Sequence, residues 1–290
     1  FINDIDFVVD ENETNVFKYA DDSKFGRRIR DDNDSATLQS DLDRVAQWAA
    51  MNGMTLHPQK TVVVHFGHNN PCHTYTLLGS AVSASECVKD LGVLINTNCS
   101  PSDHVVKITR KANAVLAQLK RATISRSKEM VMGFYKMYVR PLLESSVQAW
   151  NPWLRRDIDE IEKIQRRATK LVSGIGSMTY EERLRVCGLT SLEERRKRGD
   201  MIECFKILND FVDYESTDFF SLAKDRHSVN TRSAAEGLLV PMKTNLEVRK
   251  NFFPCRVVNA WNELPVEIRT ASSVNSFKNQ YDLFVNTLTE

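Results

Sequence analysis

The sequence VFKYADDSKF at residues 16–25 places a polar turn between two short runs that contain both apolar and polar side chains. Val16 to Tyr19 has the period of two that is typical of a strand. Asp and Ser favour turns because their short side chains hydrogen-bond to the nearby backbone. The pattern therefore predicts a β-hairpin with two carboxylates, those of Asp21 and Asp22, at its tip.

Adjacent carboxylates on a hairpin are candidate ligands for a divalent metal ion. Mg²⁺ binds oxygen ligands, usually a few carboxylates together with water and substrate phosphates. Nucleotidyl transfer uses two such ions about 4 Å apart, which stabilise the attacking and leaving oxygens. An Asp-Asp-Ser turn also occurs in hairpins that bind nothing. From Asp21 and Asp22 alone, both interpretations stay open.

The chain around the hairpin predicts one helix and several short strands. A helix is predicted over residues 35–52 because apolar side chains recur three and four residues apart, and Gly53 suits the left-handed position that ends a helix. β-branched residues predict a strand at 61–66, and short strands follow over 74–95. The mixture of apolar and acidic residues at 1–10 indicates a further strand.

After Pro101 the apolar period changes from two to about 3.6, which predicts a helical region. We expect Ser102 and Asp103 to cap its first helix and Pro141 to break its second. The predicted helices begin at 102 and cover about 128–140, 158–172, 192–211 and 274–288. A loop is expected around 224–245. The prediction is an α+β fold with three segments, at 1–98, 99–212 and 213–290.

Composition is ordinary for a soluble globular protein: 42% of the 290 residues are hydrophobic and 27% are charged. No apolar run approaches the ~20 residues that span a bilayer, so we expect no membrane partner. No signal peptide is expected, and the chain reads as part of a longer one. No two of the six cysteines are spaced as in a zinc ribbon, which predicts reduced, intracellular thiols.

The net charge of +1 conceals an uneven distribution. Residues 1–60 hold 7 Lys/Arg and 12 Asp/Glu, whereas residues 101–200 hold 21 Lys/Arg and 12 Asp/Glu. An acidic part that could hold metal therefore precedes a basic part that could hold phosphates. The alternative is ordinary solvated helix surface.

Nine cations on two predicted helices are candidate phosphate ligands. They are Lys107, Arg110, Lys111, Lys120 and Arg121 on the first helix and Lys163, Arg166, Arg167 and Lys170 on the third. The second group recurs three or four residues apart, opposite the apolar stripe. Binding of such a face to nucleic acid would weaken steeply with salt. The alternative is ion pairing with the acidic residues Asp157, Asp159, Glu160 and Glu162.

Several stretches resemble segments of one enzyme family. The matching stretches are FINDID at 1–6, FKYADD at 17–22, NGMTL at 52–56, VKDLGV at 88–93, VRPLLE at 139–144, IQRRATK at 164–170 and AWNELP at 260–265. FKYADD resembles the Tyr-X-Asp-Asp palm motif of reverse transcriptases, and VKDLGV resembles their primer grip. Together the stretches resemble jockey-like LINE elements, which are non-LTR retrotransposons of animals, over nearly the whole chain.

The resemblance implies an RNA-directed DNA polymerase with a right-hand fold, in which 1–98 is a partial palm and 99–212 a thumb. It implies two Mg²⁺ ions, deoxynucleoside triphosphates, an RNA template and a DNA primer, inside the cell in cytoplasm and nucleus. By position, Asp21 would be a metal ligand and Asp22 its helper. Tyr19 would lie near the primer end, and Lys60 would face the triphosphate. The alternative for Tyr19 is aromatic packing across the strands of the hairpin, and the alternative for Lys60 is a solvated lysine in a loop.

The family's third catalytic carboxylate and its fingers are expected upstream of Phe1, in another part of the polyprotein. We therefore expect this chain alone not to polymerise, and whether it is an enzyme by itself stays open. The alternative function is a non-catalytic, nucleic-acid-binding helical module from a decayed or reused element.

Three further groups of residues each have a functional and a structural interpretation. The side chains of His65, His68, Cys72 and His73 could bind zinc or stay uncommitted in a loop. The run at 195–198, RRKR, resembles a nuclear-localisation signal but lies in a predicted helix, where a solvated face is the other interpretation. The three tryptophans Trp150, Trp153 and Trp261 could stack on bases or pack in the core, and core packing is favoured.

Overall fold

The computed structural model describes residues 3–10, 13–123, 125–223 and 237–289. The chain forms two compact units, Phe1–Ser100 and Pro101–Glu290. The first unit combines short strands with one long helix, and the second is helical. The general α+β class is confirmed, whereas the three segments and the palm and thumb stay predictions.

The first unit contains a 3-10 helix, eight strands and one α-helix in its described part. In order they are the 3-10 helix (Asn3–Val8), β1 (Thr14–Tyr19), β2 (Asp22–Arg27), α1 (Asp32–Met51), β3 (Val62–Val63), β4 (Thr76–Leu77), β5 (Ser80–Ala81), β6 (Ser83–Ala84), β7 (Cys87–Asp90) and β8 (Val93–Asn96). The pairs β1–β2, β4–β5 and β7–β8 are antiparallel, and β3–β6 is parallel. The described strands thus form four separate pairs.

The strand predicted at 1–10 is wrong, because Asn3–Val8 is a 3-10 helix. Ile5 in this helix and Val9 just after it are buried. They pack with Trp48 of α1. The strand predicted at 61–66 is also much shorter than expected, since only Val62–Val63 pairs.

The helix α1 begins three residues earlier than predicted. The reason is Asp31, whose side chain accepts a hydrogen bond of 2.9 Å from the backbone N–H of Asp34 and caps the helix. Gly53 has a φ of +67°, which confirms the predicted left-handed residue after the helix.

The second unit consists of helices in its described part. They are α2 (Ser102–Ala122), α3 (Lys128–Phe134), a π-helix (Tyr135–Val139), α4 (Arg140–Glu144), α5 (Val147–Trp150), α6 (Arg155–Lys170), α7 (Tyr180–Cys187), α8 (Leu192–Leu208), α9 (Ser216–Phe219), α10 (Glu247–Lys250), α11 (Phe253–Arg256), α12 (Val258–Asn262), α13 (Val266–Arg269) and α14 (Val274–Thr289). The predicted last helix is confirmed. Most of the loop predicted at 224–245 lies outside the described residues.

Two predictions about helix ends in this unit are wrong. Pro101 occupies the N-cap of α2, so Ser102 and Asp103 lie inside the helix. Pro141 does not break the second helix, because it follows a π-helical turn in which the Arg140 N–H donates to the Tyr135 carbonyl. The wider turn precedes the proline, which lies in the first turn of α4, where its missing N–H costs no hydrogen bond.

A buried polar network joins α6 to the π-helix, to α7 and to the loop before α8. Gln165 accepts a hydrogen bond of 2.8 Å from Tyr135 Oη and donates to Tyr180 Oη and the Thr190 carbonyl, each at 2.9 Å. Burial raises the pKa of both tyrosines, so their hydroxyls stay protonated donors. Trp150 and Trp261 are buried, as predicted, while Trp153 is half-buried.

Candidate functional site

The β1–β2 hairpin presents the two predicted carboxylates at its tip. Tyr19 and Asp22 form the last cross-strand pair, and Ala20 and Asp21 make a two-residue loop between them. Asp21 and Asp22 are exposed, and Tyr19 is 63% exposed. The hairpin predicted from the sequence is therefore confirmed, and its three candidate side chains lie together on an open surface.

Ala20 adopts the left-handed conformation, with a φ of 53°. An L-residue pays about 1–2 kcal/mol for this conformation, whereas glycine adopts it without a steric penalty. We predict that Ala20→Gly raises the free energy of unfolding by about 0.5–1 kcal/mol, measured by urea denaturation. The matched control is Ala117→Gly in the exposed part of α2, which should lower stability by about 1 kcal/mol. Equal destabilisation by both changes would contradict the prediction.

The open end of the hairpin is held by charged groups. Asp41 of α1 is fully buried and accepts hydrogen bonds of 2.6 Å from Thr14 Oγ1 and 3.1 Å from the Asp10 N–H. Arg27, the cross-strand partner of Thr14, donates to Asp10 at 2.9 Å. Its guanidinium also lies 3.5 Å from a carboxylate oxygen of Asp34. The base of the hairpin is thus fixed to α1, while its tip stays exposed.

The electrostatics at this base favour the ionised carboxylate of Asp34. The Arg30 backbone N–H donates to it at 2.8 Å and lowers the pKa of Asp34, with the Arg30 and Arg27 charges acting in the same direction. Sequence inspection missed Asp34 and Asp41 as structural anchors. The available signal was the presence of acidic residues at helix positions that face the core.

The structure brings no further candidate metal ligand into a common group with Asp21 and Asp22 in the described part of the chain. Among the residues that the structure describes, no three His, Cys, Asp or Glu side chains gather into a group able to hold a metal ion. No catalytic step follows from Asp21 and Asp22 alone, and the two Mg²⁺ ions stay a prediction. The same finding leaves His65, His68, Cys72 and His73 without a shared metal-binding geometry.

Lys60 lies exposed in a turn that follows residue 57. The hairpin itself contributes a contact through Lys24, whose Nζ lies 2.7 Å from Asp90 Oδ2. Asp90 ends β7, within the stretch at 88–93 that resembles a primer grip. The structure therefore brings this stretch against the carboxylate hairpin.

The predicted basic residues lie on two helices that pack side by side. Ser102 Oγ donates to Asp157 Oδ2 at 2.6 Å, and Arg167 Nη1 donates to Asn113 Oδ1 at 2.7 Å. Both bonds join positions 54 or 55 residues apart, so α2 and α6 run parallel and in register. The bond between Arg167 and Asn113 is exposed to solvent, so the solvent-facing sides of α2 and α6 form one surface.

Most cations of this surface have no acidic partner among the residues that the structure describes. Lys163 pairs with Glu160 in the same helix, and Arg166 stacks over the Tyr180 ring at 4.1 Å from its centroid. Within the described ranges, no carboxylate lies within 4 Å of six of them, which are Arg110, Lys111, Lys120, Arg121, Arg167 and Lys170. Lys107 is half-buried on the same helix. Two of the acidic residues named in the ion-pairing alternative pair within α6 and not between helices: Asp159 pairs with Arg155 and Asp157 with Arg156.

Each residue of the run at 195–198 has a partner within the protein. Arg195 binds Glu144, Lys197 pairs with Glu193, and Arg198 makes two hydrogen bonds to Asp282. Arg196 is buried and donates to Asn151 Oδ1 at 3.0 Å. The solvated-face interpretation is thus wrong for Arg196, because its burial depends on packing that the sequence pattern does not show.

Comparison with protein-family models, with curated protein sequences and with solved protein structures found no match. In the described part of the chain, no helix is both long and apolar enough to cross a bilayer. The comparisons therefore assign the chain to no family.

Proposed function

We propose that this chain is the carboxy-terminal part of a non-LTR retrotransposon reverse transcriptase, with the end of the palm at 1–98 and the thumb at 99–212. The observation that carries the proposal is the hairpin tip, where Asp21, Asp22 and Tyr19 are exposed together on a turn of two residues. The ion pair between Lys24 and Asp90 supports it, since it joins this hairpin to the segment that resembles a primer grip.

In the complete enzyme, Asp21 and Asp22 would provide two of the carboxylates that hold Mg²⁺, and a third would come from elsewhere in the polypeptide. The metal ions would stabilise the charge on the reacting phosphate. Tyr19 would contact the primer end or the incoming deoxynucleoside triphosphate, and Lys60 would face its phosphates. The described residues gather no third ligand, so this chain alone should not extend a primer.

Primer extension tests this function directly. The chain alone, incubated with primed RNA, Mg²⁺ and nucleotides, should give no product. The same chain preceded by the upstream codons of its reading frame should extend the primer, and Asp21→Ala should abolish that extension. Asp43→Ala, in an exposed position of α1, is the control and should keep activity. If the longer polypeptide folds but never extends the primer, the proposal is overturned. If the chain alone extends the primer, and Asp21→Ala abolishes that activity, the expectation that the chain alone is inactive is refuted.

A second candidate function, nucleic-acid binding without catalysis, is favoured by the basic surface of α2 and α6. We expect RNA–DNA duplex to bind this surface through its phosphates, with affinity falling steeply as salt rises. Replacing Arg166, Arg167 and Lys170 by Ala should weaken binding and reduce the slope of log K against log salt by roughly 2.7, because each lost phosphate contact removes just under one counterion.

A matched control for this binding experiment uses three cations that already have acidic partners. Arg155, Arg156 and Lys197 each lie within 4 Å of a carboxylate, so replacing them by Ala should change the salt slope little. Equal losses in both triple variants would show that binding follows net charge and does not use the α2–α6 surface. Absence of binding at low salt would exclude this second function.

A further inference from the structure

A cavity of about 160 Å³ lies where α4, α5 and α8 meet. Three arginines of the run at 195–198, Arg195, Arg196 and Arg198, line it together with Glu144 and Gln148. A water molecule in a liquid takes about 30 Å³, so the space is large enough for a small oxyanion. This group of arginines has no part in the proposed polymerase function.

The three arginines differ in their partners. Arg195 binds Glu144, and Arg198 donates to the two carboxylate oxygens of Asp282 at 2.6 and 2.8 Å. Arg196 is only 2% exposed, and no carboxylate of the described residues lies within 4 Å of it. Its Nε donates to an amide oxygen, while its buried Nη1 has no acceptor in the described part of the chain.

A buried guanidinium without an anionic partner is unfavourable, because it has lost its hydration and gained no ion pair. Burial accordingly lowers the pKa of Arg196, although acidic groups farther away oppose the change. An anion in the adjoining cavity would supply the missing charge and acceptor. Guanidinium groups are well suited to phosphate because their N–H donors match two phosphate oxygens.

We propose that this cavity binds a phosphate group and that Arg196 is its principal ligand. The Gln148 amide lies in the same lining and is a neutral donor to the anion. Glu144 lies there too, and its negative charge limits the affinity. The phosphate is either free inorganic phosphate or the terminal phosphate of a nucleic acid, since both present the same oxygens to Arg196.

Calorimetric titration of the full chain with inorganic phosphate, at constant ionic strength, tests the proposal. We expect saturable binding that Arg196→Gln weakens at least about tenfold, the loss expected when a charge-assisted hydrogen bond is removed. The control is Lys197→Gln, which removes the same charge from the neighbouring residue of α8. Lys197 is exposed and paired with Glu193, so the affinity should stay within about twofold.

Glu144→Gln gives a prediction of the opposite sign. It removes the negative charge from the cavity and should tighten phosphate binding by about threefold or more. This variant also decides the outcome if Arg196→Gln does not fold, because the Glu144 side chain is partly exposed and Gln has nearly the same size and shape. Unchanged or weaker binding in Glu144→Gln would then overturn the proposal.

Competition identifies the source of the phosphate. Displacement by a 5′-phosphorylated oligonucleotide, and not by its unphosphorylated form, supports a nucleic-acid end as the ligand. No displacement by either supports free phosphate. Absence of saturable phosphate binding by the unaltered chain, or equal losses in Arg196→Gln and Lys197→Gln, would show that the cavity holds only water.

Discussion

Asp200→Ala is expected to lower the free energy of unfolding by about 3–5 kcal/mol, because it leaves the largely buried Arg256 guanidinium without its counter-ion. Asp200 in α8 is 3% exposed. Its two carboxylate oxygens accept hydrogen bonds of 2.8 Å from Arg256 Nη2 and Nε. Arg256 also donates to the Gln148 carbonyl at 3.2 Å, so the pair joins α8 and α11 to α5.

The expected loss of stability arises because one charge of the pair is left without its partner. Forming the pair contributes little net stability by itself. Burial raises the pKa of Asp200 even though Arg256 lowers it, so losing water disfavours the charge more than the pair favours it. A raised pKa in the folded state contributes stability below the unfolded pKa, and this contribution is lost as the pH rises through the folded value. Replacing both residues together, by Asp200→Leu and Arg256→Met, should therefore recover most of the loss.

Urea denaturation followed by circular dichroism measures these changes. Lys197→Ala, which removes an exposed partner of an i,i+4 pair in the same helix, should cost less than about 0.5 kcal/mol. A double variant as unstable as Asp200→Ala would contradict the idea that the uncompensated charge of Arg256 is the cause.

Asp41→Ala should lower the free energy of unfolding by about 2–4 kcal/mol, the second largest effect expected. The carboxylate is fully buried and accepts from Thr14 Oγ1 and the Asp10 N–H, so its removal leaves buried donors without acceptors. Asp41 also binds Arg44 in the same helix. Because Thr14 begins β1, this loss should loosen the base of the hairpin that carries Asp21 and Asp22.

The same denaturation experiment checks the effect of Asp41, with Asp43→Ala as its control. Asp43 lies two residues away on the exposed side of α1 and accepts a hydrogen bond of 2.9 Å from Gln39. Its replacement should cost less than about 0.5 kcal/mol. A similar loss in the two variants would mean that the helix, and not the hydrogen bonds of Asp41, is responsible.

Local patterns in the sequence were enough to predict several features correctly. The alternation before Ala20 and the turn-forming residues after it predicted the hairpin, and Gly53 predicted the end of α1. These features depend on residues that are near neighbours in the chain, so a short stretch contains the determining information. The cations of α2 and α6 could likewise be placed on the outer faces, because they lie opposite apolar stripes.

Features that depend on longer turns or on caps were harder to predict. Pro141 is compatible with a continuing helix only because the preceding turn is π-helical, and the sequence has no simple signal for such a turn. Residues 1–10 also contain too few side chains to distinguish a strand from a 3-10 helix. The outcome depends on how Ile5 and Val9 pack against Trp48.

By itself, the sequence determined the α+β class, the hairpin with its two carboxylates and the basic helices, because each follows from neighbouring residues. Only the tertiary structure decided that α2 and α6 run parallel, that Asp41 holds the base of the hairpin and that Arg196 is buried beside a cavity. Those relations join residues tens of positions apart. They depend on how the helices pack, which fixes the distances between charges and their access to water.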